Sequence, residues 1–301
     1  MERRKVIRQG KGTLTMSLPS KWTNQFKIKQ GDELFLEQKG FLLLISPTAN
    51  QSFTSTEIDL EGIKSKGLAA TMINNLYIKG YDEIKVNYYS PTQYDVISDC
   101  VRTLIGFEII SQKGNTCTIK ELAKGESEDF DNILRRIFLL IIGSAEDGID
   151  AYKKGDSQLV KSLEKRDLSV NTLINYSLRI LNKKGGKDVQ KSMHLYALLT
   201  LLEYLGDEYA RLYREASKIK PSTIVFAERV LKNLREFYEL FYKFDKFKAD
   251  KLKEERDILR EDITKALEKA KTKDDLLALH HFRRIADLVM DILKFNLAMQ
   301  L

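Results

Sequence analysis

The sequence predicts a multi-domain protein: a small all-β region over residues 1–50, a small α/β connector over 53–122, and an all-α region over 126–301 built from two three-helix units in tandem. Three observations carry that prediction. The first fifty residues alternate apolar and polar side chains in short runs broken by tight turns, the period of half-buried strands. From about residue 126 glycine and proline thin out, and apolar residues recur at three and four. Within that helical stretch a phrase is repeated. LLEYLGDEYA at 201–210 and HFRRIADLVM at 281–290 share Leu/Ile, Gly/Ala and Asp at a spacing of 80, and each follows a charged segment containing Arg-Asp, at 163–171 and 253–262. Two tandem units explain the recurrence.

In the first region Leu14, Met16 and Leu18 face one way while Thr13, Thr15 and Ser17 face the other. Pro19 opens a short helix at a position where a missing N–H costs nothing, and Gly31-Asp32 returns the chain to strand. Some fifty residues make a marginal core, so the apolar face needs a second subunit to cover it. The region also carries the charge. Nine Lys/Arg against four Asp/Glu over 1–51 give +5 of the whole chain's +7. Arg3, Arg4, Lys5, Arg8 and Lys11 crowd the first strand and turn, the pattern of a surface that follows phosphates.

The stretch RKVIRQGKGTLTMSLPSKWTNQFKIKQGDELFL resembles the AbrB/MazE/SpoVT family of DNA-binding domains over about residues 3–46, through its basic first strand, its LTMSLPSKW junction and its KQGDEL turn. The resemblance implies an all-β swapped-hairpin barrel shared by a homodimer. It also implies contacts to double-stranded DNA from Arg4, Lys5, Arg8 and Lys11.

The connector alternates strand and helix. Leu68, Met72 and Leu76 mark one face of its first helix, with Gly80 just past the end, and Ile97, Cys100, Val101 and Leu104 mark a buried stripe of the second. No nucleotide fingerprint occurs, and QKGN reads as a hairpin turn. In the helical region Phe130, Ile133, Leu134, Ile137, Ile141 and Ala145 mark the first long helix, with breaks expected at 153–156, 182–188, 218–222 and 271–275.

Each copy of the phrase places acids four apart on one helical face: Glu203 with Asp207, and Asp287 with Asp291. Paired carboxylates in a bundle suit hard divalent or ferric ions, whereas nearby Arg211, Arg214, Arg283 and Arg284 make salt bridges the plainer reading. Glu203-Tyr204-Leu205-Gly206-Asp207 resembles the acidic phrase of the PhoU family of phosphate-uptake regulators, and the tandem arrangement resembles that family over about residues 127–299. This implies a phosphate-transport or signalling protein as partner, and metal ligands at Asp167, Glu203, Asp207, Asp257, Glu261 and Asp287. The chain departs from the family pattern at Asn171 and Arg283, which stand where acids are expected.

The histidines show no metallohydrolase spacing, the two cysteines no pairing motif, and no catalytic triad motif is present, so an enzyme is not expected. The apolar runs at 137–142 and 41–45 are too short for a membrane helix, and the basic N-terminus has no signal-peptide core, which places the protein in the cytoplasm. The function expected is a DNA-binding transcriptional regulator of phosphate uptake. The alternatives are a carboxylate metal-binding protein or metalloenzyme built on the bundle or, more weakly, an antitoxin.

Overall fold

Pro19 and the turn at Gly31 divide the first fifty residues into two hairpins around a short helix. The computed structural model describes residues 3–10, 12–39, 42–47, 53–122, 130–184 and 189–300. It forms two compact units, Met1–Phe53 and Thr54–Leu301.

In the first unit β1 (Val6–Gln9) pairs antiparallel with β2 (Thr13–Met16), with Val6 opposite Met16 and Gln9 opposite Thr13. A six-residue α1 (Ser20–Gln25) follows Pro19. The turn behind it is closed by Lys29 N–H donating to Asp32 Oδ2 at 2.7 Å. Then β3 (Phe35–Lys39) pairs antiparallel with β4 (Leu42–Ser46). No described residue of 3–47 is buried. Val6, Leu14, Leu36 and Leu43 are each more than half exposed, so the alternation seen in the sequence has apolar faces that no described residue buries.

The second unit opens with a four-stranded sheet in the order β5 (Ser55–Asp59), β6 (Glu83–Asn87), β8 (Thr116–Glu121), β7 (Phe107–Lys113). β5 and β6 are parallel, joined by α2 (Lys66–Ile78); β8 runs antiparallel to both β6 and β7. Serine side chains start both helices, Ser65 accepting from Leu68 N–H and Ser90 from Gln93 N–H at the head of α3 (Pro91–Val101). Ile97, Cys100, Val101 and Leu104 are buried as the pattern predicts. The α2 face differs from expectation. Ala69, Ile73 and Tyr77 are the buried set, and Leu68 is about half exposed. This helix is apolar on more than one side because it packs on the sheet and on a bundle helix as well, so its periodicity does not single out one stripe.

The helical region comprises α4 (Phe130–Lys154), a short α5 (Ser157–Leu163) with a 3-10 turn, α6 (Asp167–Lys184), α7 (Val189–Glu215), α8 (Pro221–Tyr242), α9 (Lys246–Lys269) and α10 (Lys273–Gln300). α4, α6 and α7 form one three-helix group and α8, α9 and α10 the other. The two groups share one core, chiefly through α7 against α10 and α4 against α8. The sequence does not show the break between α8 and α9. It has no glycine or proline, and is made by Asp245, whose carboxylate accepts from the N–H groups of Phe247 and Lys248.

The sheet is bolted to the bundle by one buried side chain of α6. Arg179 is 1% exposed and donates to the carbonyls of Tyr77 at 2.8 Å and Tyr81 at 2.9 Å and to Glu121 Oε2 at 3.0 Å. Its guanidinium lies over the rings of Tyr77 and Phe107. Lys183, one turn on, pairs with Asp82 and Glu121. Gly80, at φ +99°, leaves room for that lysine, since a Cβ there would stand 2.8 Å from Lys183 Cγ.

Candidate functional site

The first repeat gathers its acids where α6 begins against the middle of α7. Asp167 is the first residue of α6, and Asn171, one turn on, donates from Nδ2 to Asp167 Oδ2 at 2.7 Å. Gly206 of α7 faces this pair. A Cβ at that position would lie 2.8 Å from Asp167 Oδ1 and 3.3 Å from Val170 Cγ1, so the small residue of the phrase sets how closely the helices approach. Asp167 Oδ1 and Asn171 Oδ1 are buried there without a hydrogen-bond partner. Burial first, and then the Asp207 charge, push the Asp167 carboxyl up to about 7; the same two causes raise Glu203. Asp207 itself pairs with Arg211 at 3.0 Å. Asp167, Glu203 and Asp207 thus form a neighbourhood of three carboxylates with which, among the described residues, Arg211 alone makes an ion pair, and that arginine is shared with Glu208.

The second repeat answers the same problem from within. Arg256 of α9 reaches Asp287 at 3.4 Å and Asp257 at 3.3 Å, and Arg260 approaches Asp287 at 3.9 Å. Asp257 and Glu261 are exposed on α9. The salt-bridge reading therefore holds for Asp207 and Asp287. For Asp287, however, the partners are Arg256 and Arg260, one helix away, rather than Arg283 and Arg284. Asp291 pairs with Lys294 at 2.7 Å.

Among the described residues no three His, Cys, Asp or Glu side chains converge closely enough to hold a metal ion. The second repeat does not fit one, because cations already occupy the approach to Asp287. The first offers two orphaned, hard oxygen atoms, at Asp167 and Asn171, beside acids of raised proton affinity. That chemistry suits a proton or a single hard cation.

Sequence reasoning missed a further polar pair. Glu208 and His281, both 4% exposed, join α7 to α10 with Oε1 to Nδ1 at 2.8 Å, and His281 Nε2 lies 3.4 Å from Glu215. Burial would raise Glu208, but the His281 hydrogen bond and the nearby arginines outweigh it and hold the carboxyl below its usual range. The signal available was the acid directly after Asp207 in the repeated phrase; a search for spaced histidines on one helix passes over a pair made between helices.

Of the basic residues, Arg3, Arg4 and Lys5 precede β1 and Arg8 lies within it, all exposed. Lys11 falls outside the described residues.

The raised Asp167 carboxyl has a stability consequence of definite sign. A folded-state value near 7 against about 4 in the unfolded chain means the native state holds this proton more tightly. Stability present below about pH 4 is therefore lost as pH rises towards about 7. Asp167→Asn is expected to raise stability above about pH 7 by ~1–2 kcal/mol, a value discounted for screening of a partly exposed carboxyl, and by nothing below about pH 4. Urea unfolding at both ends of that range checks it; an equal change at both would show that the charge is not the cause.

Fold and sites together define a two-unit protein: a small basic β unit with no buried side chain among its described residues, then an α/β sheet and tandem helical groups whose second acidic phrase is met by two arginines of a neighbouring helix and whose first is met by one of its own. No family model and no curated protein matches the chain. The crystal structure of the phosphate transport system regulatory protein PhoU from Streptococcus pneumoniae is similar over 57% of this chain and 93% of its own, at 14% identity and TM-score 0.47. PhoU from Pseudomonas aeruginosa is similar over 56% of this chain and 93% of its own, at 18% identity and TM-score 0.43.

Proposed function

We propose that the chain is a DNA-binding regulator of phosphate uptake, acting by binding rather than catalysis, in the cytoplasm. The first unit grips duplex DNA as a homodimer whose interleaved hairpins make one barrel, and the helical region receives the signal from a phosphate-transport or signalling protein. One observation carries the DNA-binding half. A region with no buried side chain among its described residues exposes both a set of apolar strand faces and the run Arg3, Arg4, Lys5 and Arg8. A second copy would cover the first, and phosphates would answer the second. The phosphate half rests on the phrase Glu203–Asp207 and its tandem setting.

The test is a titration of the full chain with duplex DNA at several salt concentrations, alongside its mass in solution. A dimer whose affinity falls steeply with salt is expected. A monomer at every concentration, or affinity indifferent to salt, would overturn the reading.

A second reading, favoured by the orphaned Asp167 and Asn171 oxygens, is that the first repeat takes one hard divalent or ferric ion. Elemental analysis of the dialysed protein decides it: one ion per chain is expected, none would overturn this reading, and two or more would contradict the arginine-filled second repeat.

A further inference from the structure

The turn between α8 and α9 presents a feature that neither the DNA surface nor the acidic phrases use. Phe247, in the first turn of α9, is 75% exposed, the most exposed large apolar side chain among the described residues. Tyr242, at the end of α8 and five residues earlier, is 37% exposed, and the Arg135 guanidinium lies 4.8 Å from its ring centroid. Lys246 Nζ sits 5.1 Å from the centroid of Phe247, and Lys243, Lys246 and Lys248 are all exposed. Of the acids nearby, Asp245 is engaged by the backbone N–H groups of Phe247 and Lys248, while Asp131, Glu239 and Asp250 are exposed, so the positive charge of the corner lies in the lysines next to Phe247 in the chain.

We propose that this corner docks the helical region onto an anionic phospholipid membrane, with Phe247 entering the boundary between headgroups and acyl chains and Lys243, Lys246, Lys248 and Arg135 meeting lipid phosphates. The pattern fits a surface rather than a span. An aromatic ring with Lys246 at its face and Lys243 and Lys248 close by in the chain can bury itself while the flexible ammonium groups stay among headgroups, and each lysine near an anionic leaflet adds attraction that salt weakens. No helix among the described residues is long and apolar enough to cross a bilayer, so the contact is peripheral. Duplex DNA would meet the lysines but leave Phe247 in water, which is why the ring favours lipid.

Flotation of the full chain with vesicles of equal parts phosphatidylglycerol and phosphatidylcholine, against phosphatidylcholine alone, tests this. The protein should float with the anionic vesicles only, and less at high salt. Phe247→Ser should reduce the bound fraction several-fold, Phe247→Trp should restore it, and Lys243→Glu with Lys246→Glu and Lys248→Glu should abolish it. Arg4→Glu with Arg8→Glu should leave it intact, which separates this surface from the DNA surface proposed above. These side chains are exposed, and circular dichroism confirms that each variant folds. The proposal is overturned if anionic vesicles are not bound, if binding ignores Phe247 and the three lysines, if it is lost with Arg4 and Arg8, or if the lysine variant loses DNA instead of lipid.

Discussion

Arg179→Met should destabilise the second unit by ~3 kcal/mol, among the largest single-residue effects in the protein. The side chain is almost fully buried and its donors reach Tyr77 O, Tyr81 O and Glu121 Oε2, with Asp82 Oδ1 at 3.7 Å. Methionine keeps much of the volume and the contact with the Tyr77 and Phe107 rings, so the loss reports the stranded acceptors rather than a cavity. Tyr81 O would lose its side-chain donor, and Tyr77 O would keep only the Gly80 N–H. The acids fare better, because Lys183 still meets both, and its hydrogen bond is the chief force that overcomes burial and holds Asp82 down at about 2. That backup places the cost at the lower end of what breaking a buried ion pair entails, ~3–5 kcal/mol. Arg179→Lys should recover little, since an ammonium cannot span carbonyls and a carboxylate in one plane. Urea unfolding followed by the heat of the transition checks both variants, and a loss below ~1 kcal/mol for methionine would mean that the junction is held by apolar packing alone.

Arg4→Glu with Arg8→Glu should weaken binding to duplex DNA at least ~100-fold at moderate salt and flatten the dependence of affinity on salt concentration, because each cation that meets a phosphate releases a counterion. Both residues are exposed, and Arg8 sits on β1 opposite Leu14 of β2. Charge reversal there leaves the strand pairing in place, so the mass of the protein in solution should not change. The same reversal at Lys265, an exposed residue of α9, should do little. Gel-shift titrations across a salt series provide the measurement; equal slopes for the variant and the parent would remove these two arginines from the interface.

The sequence was most legible where punctuation and periodicity agree. The breaks expected at 153–156, 218–222 and 271–275 separate helices because glycine or proline, or an acid at a helix start, interrupts a regular apolar stripe. The α8–α9 break was not legible, because Asp245 makes it alone and an aspartate between lysines looks like ordinary surface. Register within α2 was lost for the opposite reason: too many of its faces are apolar. The acidic site was legible as a set of residues, since i to i+4 spacing puts Glu203 and Asp207 together. Its charge state was not, because that depends on Arg256 and Arg260 coming from a different helix, and on a glycine that lets Asp167 settle against α7. Arg179 was invisible for the same reason. A single arginine in a helix is usually solvated, and only the docked sheet makes it a core residue.

The unequal treatment of the two acidic phrases gives the tandem a direction. A protein built from two matching groups would ordinarily offer a visitor two equivalent seats, related by its internal symmetry. Here Arg256 and Arg260 fill one of them from inside, while the ground between α6 and α7 keeps a surplus of acid. The arginines largely cancel the local field of the second seat, while at the first the crowding of acids is met by holding a proton on Asp167 more tightly. The two groups are therefore alike in backbone and unlike in charge, although the helices beneath were written twice.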